Sequence, residues 1–217
     1  MEGDASEAVN LGASKTDLDD ATKVLGVSWI PWSDVFTFNF NPELSERDIK
    51  MPRDLVTISS SLYDPLGFIS PFALHGRKML QRCNAQKIGW DSPLESTLCA
   101  NFQKWAQSIP VFADLHLPCW WNQGIDELTS SQPHIFTDAA TTSSYGAAGY
   151  RRVEAPNREV KVILLCSRSH MVPLDSARAS HHNSTPYLKL FTCEKGVELS
   201  AFIQRSVEST FNKIVLW

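Results

Sequence analysis

Hydrophobic residues follow two different patterns along the chain, and the change falls near Pro133. The apolar runs KVLGVSW (23–29) and DVFTFNF (34–40) predict a short antiparallel hairpin. Three segments with helical spacing follow it, each with a proline at or near its start. Beyond Pro133 the spacing becomes that of strands, interrupted by one long helix. The sequence therefore predicts an α+β chain in two parts.

The first part is predicted to be mostly helical. Its three helices are expected at about Pro52 to Tyr63, Pro71 to Lys87 and Pro93 to Ser108. The turn Asp64-Pro65-Leu66-Gly67 ends the first of them. We expect a flexible lead over residues 1–22, the hairpin and helices over 23–116, and a Pro/Trp/Gly-rich linker over 117–133.

The second part, residues 134–217, has the predicted order β-β-β-α-β. Three strands come first and a partial fourth strand comes last, at His134–Asp138, Tyr145–Arg152, Val160–Ser167 and Lys213–Trp217. The helix between the third and fourth strands runs from Pro186 to about Val207. We expect the chain to end inside this unit, so that the unit is truncated at its C-terminus.

Composition and charge narrow the classes of protein only a little. The formal net charge is −4, so contact with nucleic acid would have to come from a local basic patch. No apolar run approaches the roughly 18 residues of a membrane span, and we expect no membrane partner. The five cysteines include no Cys-x-x-Cys pair, and no secretory signal precedes them. Both observations indicate reduced thiols. The expected location is intracellular, in the cytoplasm, with the nucleus as the alternative.

The middle helix carries the basic patch. No Asp or Glu occurs between Asp64 and Asp91, and Arg77, Lys78 and Arg82 lie within that helix. These side chains are candidate contacts to the phosphates of a nucleic acid. The alternative is a solvated helix surface whose opposite side is hydrophobic.

Asp138 is the candidate catalytic acid. Cleaving a phosphodiester with two Mg²⁺ ions requires several converging carboxylates, because hard cations prefer oxygen ligands. In a β-β-β-α-β unit these acids sit at the end of the first strand, on the helix and at the end of the fourth strand. Asp138 occupies the first place, whereas Lys189 stands in the helix where a carboxylate is expected. Asp138 could otherwise be an acid that caps a turn.

Several segments together resemble a known family. They are KVLGVSW (23–29), SSSLYDPLGFISP (59–71), GWD (89–91), FTDA (136–139), VPL (172–174) and SHHNS (180–184). They are similar to the pol polyprotein of Bel/Pao-type LTR retrotransposons, the Pao retrotransposon peptidase family. The resemblance implies the end of a reverse-transcriptase palm, thumb and connection helices, and an RNase H-like domain. Such polyproteins carry reverse transcriptase, RNase H and aspartic peptidase activities, and an intact RNase H uses Mg²⁺.

This sequence departs from the family pattern at the helix. The family motif is Pro-Arg-Leu-Glu-Leu, but Tyr187 replaces the arginine and Lys189 replaces the metal-binding glutamate. Glu194 and Glu198 are too far around the helix to substitute for it, by about 140° and nearly 180° at ~100° per residue. We therefore expect no cofactor in this chain and only a vestigial, incomplete metal site at Asp138.

Other catalytic readings of the sequence are weaker. Asp17-Leu18-Asp19-Asp20 lacks the flanking apolar strands of a polymerase motif, and Asp138-Ala139-Ala140 lacks the Asp-Thr/Ser-Gly of an aspartic protease. His181-His182 has no second Cys/His pair at zinc spacing.

The expected function is that of a fragment of the polyprotein that does not cleave nucleic acid alone. Its expected partners are RNA–DNA hybrid or another nucleic acid and the remainder of the polyprotein. Two alternatives stay open. One is a component that is active only within a longer polyprotein, and the other is a domesticated protein-interaction module.

Overall fold

The computed structural model describes residues 22–24, 27–38, 40–119, 128–140, 144–172, 184–207 and 211–217. The predicted lead at 1–22, Asp17–Asp20 and the His181-His182 pair therefore lie outside the described residues, apart from Thr22. The strands are β1 (Thr22–Val24), β2 (Val27–Ile30), β3 (Val35–Phe38), β4 (Leu117–Pro118), β5 (Ser130–Ala140), β6 (Ser144–Glu154), β7 (Val160–Met171) and β8 (Val215–Leu216). The α-helices are α1 (Pro42–Glu46), α2 (Pro52–Ser61), α3 (Ser70–Ala85), α4 (Ser96–Ala106) and α5 (Thr185–Ser206). Helices and sheets confirm the α+β prediction.

The N-terminal sheet contains the predicted hairpin. β2 and β3 pair antiparallel, and Asp34 adopts a left-handed backbone (φ 49°) in the turn between them. The Trp29 indole donates a hydrogen bond to the Asp34 carboxylate at 3.0 Å, which holds this turn. The run predicted as one strand divides into β1 and β2, and β4 pairs with β3 although Leu117–Pro118 fell in the predicted linker.

α2, α3 and α4 pack around one hydrophobic core together with the hairpin. Leu55, Ile58 and Phe102 are completely buried in it. The helices lie where the sequence predicts them, with shifted ends. α4 begins at Ser96 rather than near Pro93, because Glu95 is extended and the N–H of buried Leu94 bonds to the Lys50 carbonyl at 2.8 Å. None of the described helices is long and apolar enough to cross a membrane.

The C-terminal sheet has the strand order β7-β6-β5-β8. β5, β6 and β7 are antiparallel neighbours, and β8 returns parallel to β5 after α5. β5 begins at Ser130 and thus extends into the predicted linker. Pro133 fits inside this strand because β8 pairs with β5 only from His134 onward, so no donor is needed at the proline. The order β-β-β-α-β agrees with the prediction.

α5 crosses one face of the C-terminal sheet, and small residues lie where the two are in contact. A methyl group added to Gly196 would come within 2.5 Å of Thr137 Cγ2 on β5. One added to Gly149 on β6 would come within 2.4 Å of the Ile203 side chain. Glycine at both positions therefore sets how closely the helix approaches the sheet.

The two parts of the chain meet along β7. Two carbonyl groups of the turn after α2 bind Ser167. The Leu66 carbonyl accepts a hydrogen bond from the Ser167 N–H at 2.8 Å, and the Gly67 carbonyl accepts one from the Ser167 hydroxyl. Arg168 of β7 donates to the Pro65 carbonyl at 2.8 Å. From here on this contact zone between the helical part and β7 is called the seam.

α3 continues the seam along the same strand. The Ser70 hydroxyl lies 2.7 Å from that of Ser167 and 2.9 Å from that of Ser169. Eleven residues further along α3, the Gln81 side chain donates to the Val172 carbonyl at 2.8 Å. The side of α3 that carries Ser70 and Gln81 therefore lies along β7 over most of the length of the helix.

Candidate RNase H-like site

Asp138 lies near the end of β5, exposed to solvent, and pairs with Gly146 of β6. Side chains of a strand alternate between the two faces of its sheet. Ile135 and Thr137 contact α5, so Asp138 and Phe136 lie on the opposite face. This second face is called the open face below. The prediction that Asp138 stands at the end of the first strand of the unit agrees with this position.

Lys189 lies in the second turn of α5 and is also exposed. Its neighbour Leu188 is buried in a small cluster with Ala139 and Val172. Because Ala139 follows Asp138 and Leu188 precedes Lys189, the helix start and the strand end meet at the same end of the sheet. This is where the sequence places the two residues.

Asp138 and Lys189 do not form an ion pair with each other. Among the described side chains, neither takes part in any salt bridge. The Asp138 carboxylate lies on the open face, whereas Lys189 belongs to the helix that covers the other face.

Aromatic rings lie next to Asp138 on the open face. Phe136 stacks on Trp217 with ring centroids 5.9 Å apart and meets Tyr150 edge-on at 5.8 Å. Trp217 also donates to His134 Nδ1 at 3.2 Å. Burial, followed by the charges of nearby Arg152 and Lys213, lowers the pKa of His134. Sequence reasoning missed this group, although the alternation His134-Phe136-Asp138 was a signal that all three share a face.

The basic candidates on α3 do not form one group. Lys78 and Arg82 are four residues apart on one side of the helix, where His75 and Arg82 are exposed and Lys78 is half-buried. Arg77 is about 100° away from Lys78 around the helix. It shares its stripe with Gln81, whose side chain reaches β7. Lys78 and Arg82 therefore share one side of α3, whereas Arg77 lies at the seam, and contact of these side chains with nucleic acid stays a prediction.

The residues present do not fit a two-metal site. Such a site needs several oxygen ligands that converge on the ions. Asp138 supplies one exposed carboxylate, and the helix supplies an ammonium group at Lys189. Throughout the part of the chain that the structure describes, no three His, Cys, Asp or Glu residues are grouped so that they could hold a metal ion.

A mixed sheet in the chain order β-β-β-α-β, with a helix on one face and an acid near the end of its first strand, is the arrangement of an RNase H-like domain. A family model confirms this class: the Pao retrotransposon-like RNaseH-like domain matches residues 51–217. The chain belongs to that family. The match begins at residue 51, so α2, α3, α4 and the C-terminal sheet fall within one family unit. No curated protein matches the chain.

Proposed function

We propose that this RNase H-like domain of a Pao-type retrotransposon binds RNA–DNA hybrid without cleaving it, as part of a pol polyprotein. The observation that carries the proposal is Lys189, an exposed cation on α5 at the position that matches the metal-binding glutamate of the family motif. A cation there repels Mg²⁺ and removes one of the oxygen ligands that hold it. Asp138 alone is a poor ligand for a divalent cation.

The hybrid would contact the exposed face of α3. Lys78 and Arg82 point away from the helical core, and no Asp or Glu lies on that helix to oppose them. Neutralising phosphates with such side chains releases counterions, so affinity should fall steeply as salt rises. The net charge of −4 makes a local patch of this kind necessary.

A cleavage assay tests the first half of the proposal. The purified chain is incubated with a labelled RNA–DNA hybrid and Mg²⁺, beside the variants Lys189→Glu and Lys189→Ala. We expect no cleavage by the chain itself. Cleavage that depends on Mg²⁺ and is lost in Asp138→Asn would overturn the proposal. Cleavage gained only in Lys189→Glu would support the assigned reason for inactivity.

Binding measured against salt tests the second half. We expect affinity for the hybrid to decrease linearly on a log–log plot, and Lys78→Ala and Arg82→Ala each to reduce the slope by about one. Lys104→Ala, at the exposed C-terminal end of α4, is the matched control and should leave the slope unchanged. Absence of hybrid binding at low salt would contradict the proposal.

A second candidate function, a protein-interaction module, is favoured by the outer surface of α5. Tyr187, Leu190 and Val197 repeat at helical spacing on the side away from the sheet and line a shallow groove, and Leu190 is 73% exposed. Exposed apolar stripes of this kind often mark contacts between proteins. Under this alternative, Leu190→Glu would abolish binding of the remaining polyprotein, and salt would have little effect.

A further inference from the structure

Aromatic side chains gather around His170 at the end of β7. The imidazole stacks on the ring of Tyr145 with centroids 5.2 Å apart and planes 17° from parallel. Tyr145 in turn meets Phe191 of α5 edge-on at 5.2 Å. Lys195, one turn further along α5, places its ammonium group 5.1 Å from the centre of the Phe191 ring. Residues of β6, β7 and α5 therefore form a cluster of aromatic rings with the Lys195 ammonium group beside it.

Arg77 brings a second cation to the same place from α3. On the stripe of α3 that lies along the seam, it falls between Ser70, which contacts Ser169, and Gln81, which reaches the Val172 carbonyl. This position brings Arg77 close enough to His170 for its charge to act on the imidazole. Arg77 is exposed, and among the described residues it makes no salt bridge.

The charges around His170 are mostly positive. Burial and then the charges of Arg77, Lys195 and Arg168 lower the pKa of the imidazole, whereas Glu198 alone acts in the opposite direction. Glu198 is paired with Lys195 at 2.7 Å. Three cations from three elements thus face one carboxylate. Such an excess of positive charge, beside the nitrogen donors of exposed Arg77 and His170, is suited to an anion.

We propose that Arg77, His170 and Lys195 form a site for a phosphate group at the seam. The guanidinium, imidazolium and ammonium groups would donate hydrogen bonds to the phosphate oxygens, since donors of positive charge bind such oxygens most strongly. The phosphate would come from a polynucleotide backbone, and to that extent the inference rests on the proposed function. Free phosphate has the same chemistry, so the two sources are tested separately.

Inorganic phosphate is the first probe. The pH titration of the His170 ring protons is followed by NMR in the full chain, with and without phosphate. A bound anion should raise the pKa of His170, because it favours the protonated ring. Arg77→Ala should weaken phosphate binding about 3- to 10-fold, Arg77→Lys less, and the control Lys104→Ala not at all. A His170 titration that phosphate leaves unchanged would overturn the inference.

A single-stranded oligonucleotide is the second probe. Arg77→Ala and Lys195→Ala should each lower the salt slope of its binding by about one. Affinity should also increase as the pH falls through the pKa of His170, below 6.5, and this increase should be lost in His170→Gln.

The two proposals fail in different ways. If only Lys78→Ala and Arg82→Ala weaken oligonucleotide or hybrid binding, the seam site is refuted and the proposed function stands. If the chain binds no polynucleotide but phosphate still raises the pKa of His170, the proposed function is refuted and the seam site stands. If circular dichroism shows that Arg77→Ala disturbs the fold, the comparison of Arg77→Lys with Lys104→Ala decides instead.

Discussion

The hydroxyl groups of Ser70 and Ser167 lie 2.7 Å apart although 97 residues separate them in the sequence. Ser70 begins α3, and Ser167 lies in β7, so this contact joins the helical part to the RNase H-like sheet. The backbone of the preceding turn makes the same connection, because the N–H of Ser167 donates to the Leu66 carbonyl at 2.8 Å. A sequence motif that reads as a simple turn thus also fixes how the two parts are arranged.

Gly67→Ala should destabilise the protein strongly. Gly67 has φ of +79°, and an added Cβ would lie 2.0 Å from the Ser167 carbonyl oxygen, so backbone must move. We expect a loss of about 3 kcal/mol or more in the free energy of unfolding, measured by urea denaturation. In the control Gly89→Ala, the new methyl meets only the rotatable Ser92 hydroxyl, at 2.9 Å. Equal losses in both variants would contradict the docking role of Gly67.

Gly196→Ala should loosen the contact between α5 and β5. The methyl group would lie 2.5 Å from Thr137 Cγ2, and this overlap should lower the free energy of unfolding by about 1–3 kcal/mol. The higher helix propensity of alanine should offset at most ~1 kcal/mol of that loss. Thr137→Ser removes that Cγ2 and keeps the hydroxyl that donates to the Trp217 carbonyl at 3.0 Å. The double variant should recover at least half of the loss in thermal denaturation. Strictly additive effects would contradict this contact.

Asp54→Ala should weaken the start of α2. Asp54 is 6% exposed. Its carboxylate accepts hydrogen bonds from the N–H groups of Lys50 and Met51 at 3.1 Å and pairs with Arg47 at 3.1 Å. Its removal should lower the free energy of unfolding by about 2 kcal/mol. Asp48→Ala breaks an exposed salt bridge to Lys50 instead and should cost less than about 0.5 kcal/mol. A larger loss in Asp48→Ala would reverse this ranking.

Cys166 should make stability decrease in alkaline solution. Burial raises the pKa of this thiol from 9.0 to about 11 in the folded protein. The unfolded chain therefore loses its proton first, and stability falls as the pH rises from about 9 through 11. Cys166→Ala removes the thiol and with it this loss of stability at high pH. The difference between the urea midpoints of the unchanged protein and the Cys166→Ala variant should therefore become smaller between about pH 9 and 11. A gap that stays constant would show that the thiol does not ionise differently on unfolding.

The sequence is sufficient to place Asp138 and Lys189, because each depends only on the local pattern around it. Alternation puts Asp138 at the end of a strand, and the proline at 186 starts the helix that carries Lys189. What local patterns do not contain is the pairing of distant segments. Gly67 is predicted as part of a turn, yet its partner Ser167 lies 100 residues away.

Arg77 illustrates the same limit within one helix. At ~100° per residue it separates from Lys78 and Arg82 by arithmetic alone. What the sequence does not reveal is that β7 packs against the side of α3 that carries Ser70 and Gln81, because both of these residues are polar. Contacts made through hydroxyl and amide groups leave no hydrophobic period to read.

The docking of the Asp64–Gly67 turn on β7 also has a consequence for association. β7 is an edge strand, and its unpaired backbone groups would otherwise invite another strand. The turn and α3 shield its second half, from Ser167 onward, and the adjoining residue Val172. The first half contains Val160 and Val162, the latter 61% exposed, and the described contacts of the seam do not reach it. Self-assembly through added strands would therefore begin at Val160–Val162, where a lysine in place of Val162 would act as a gatekeeper.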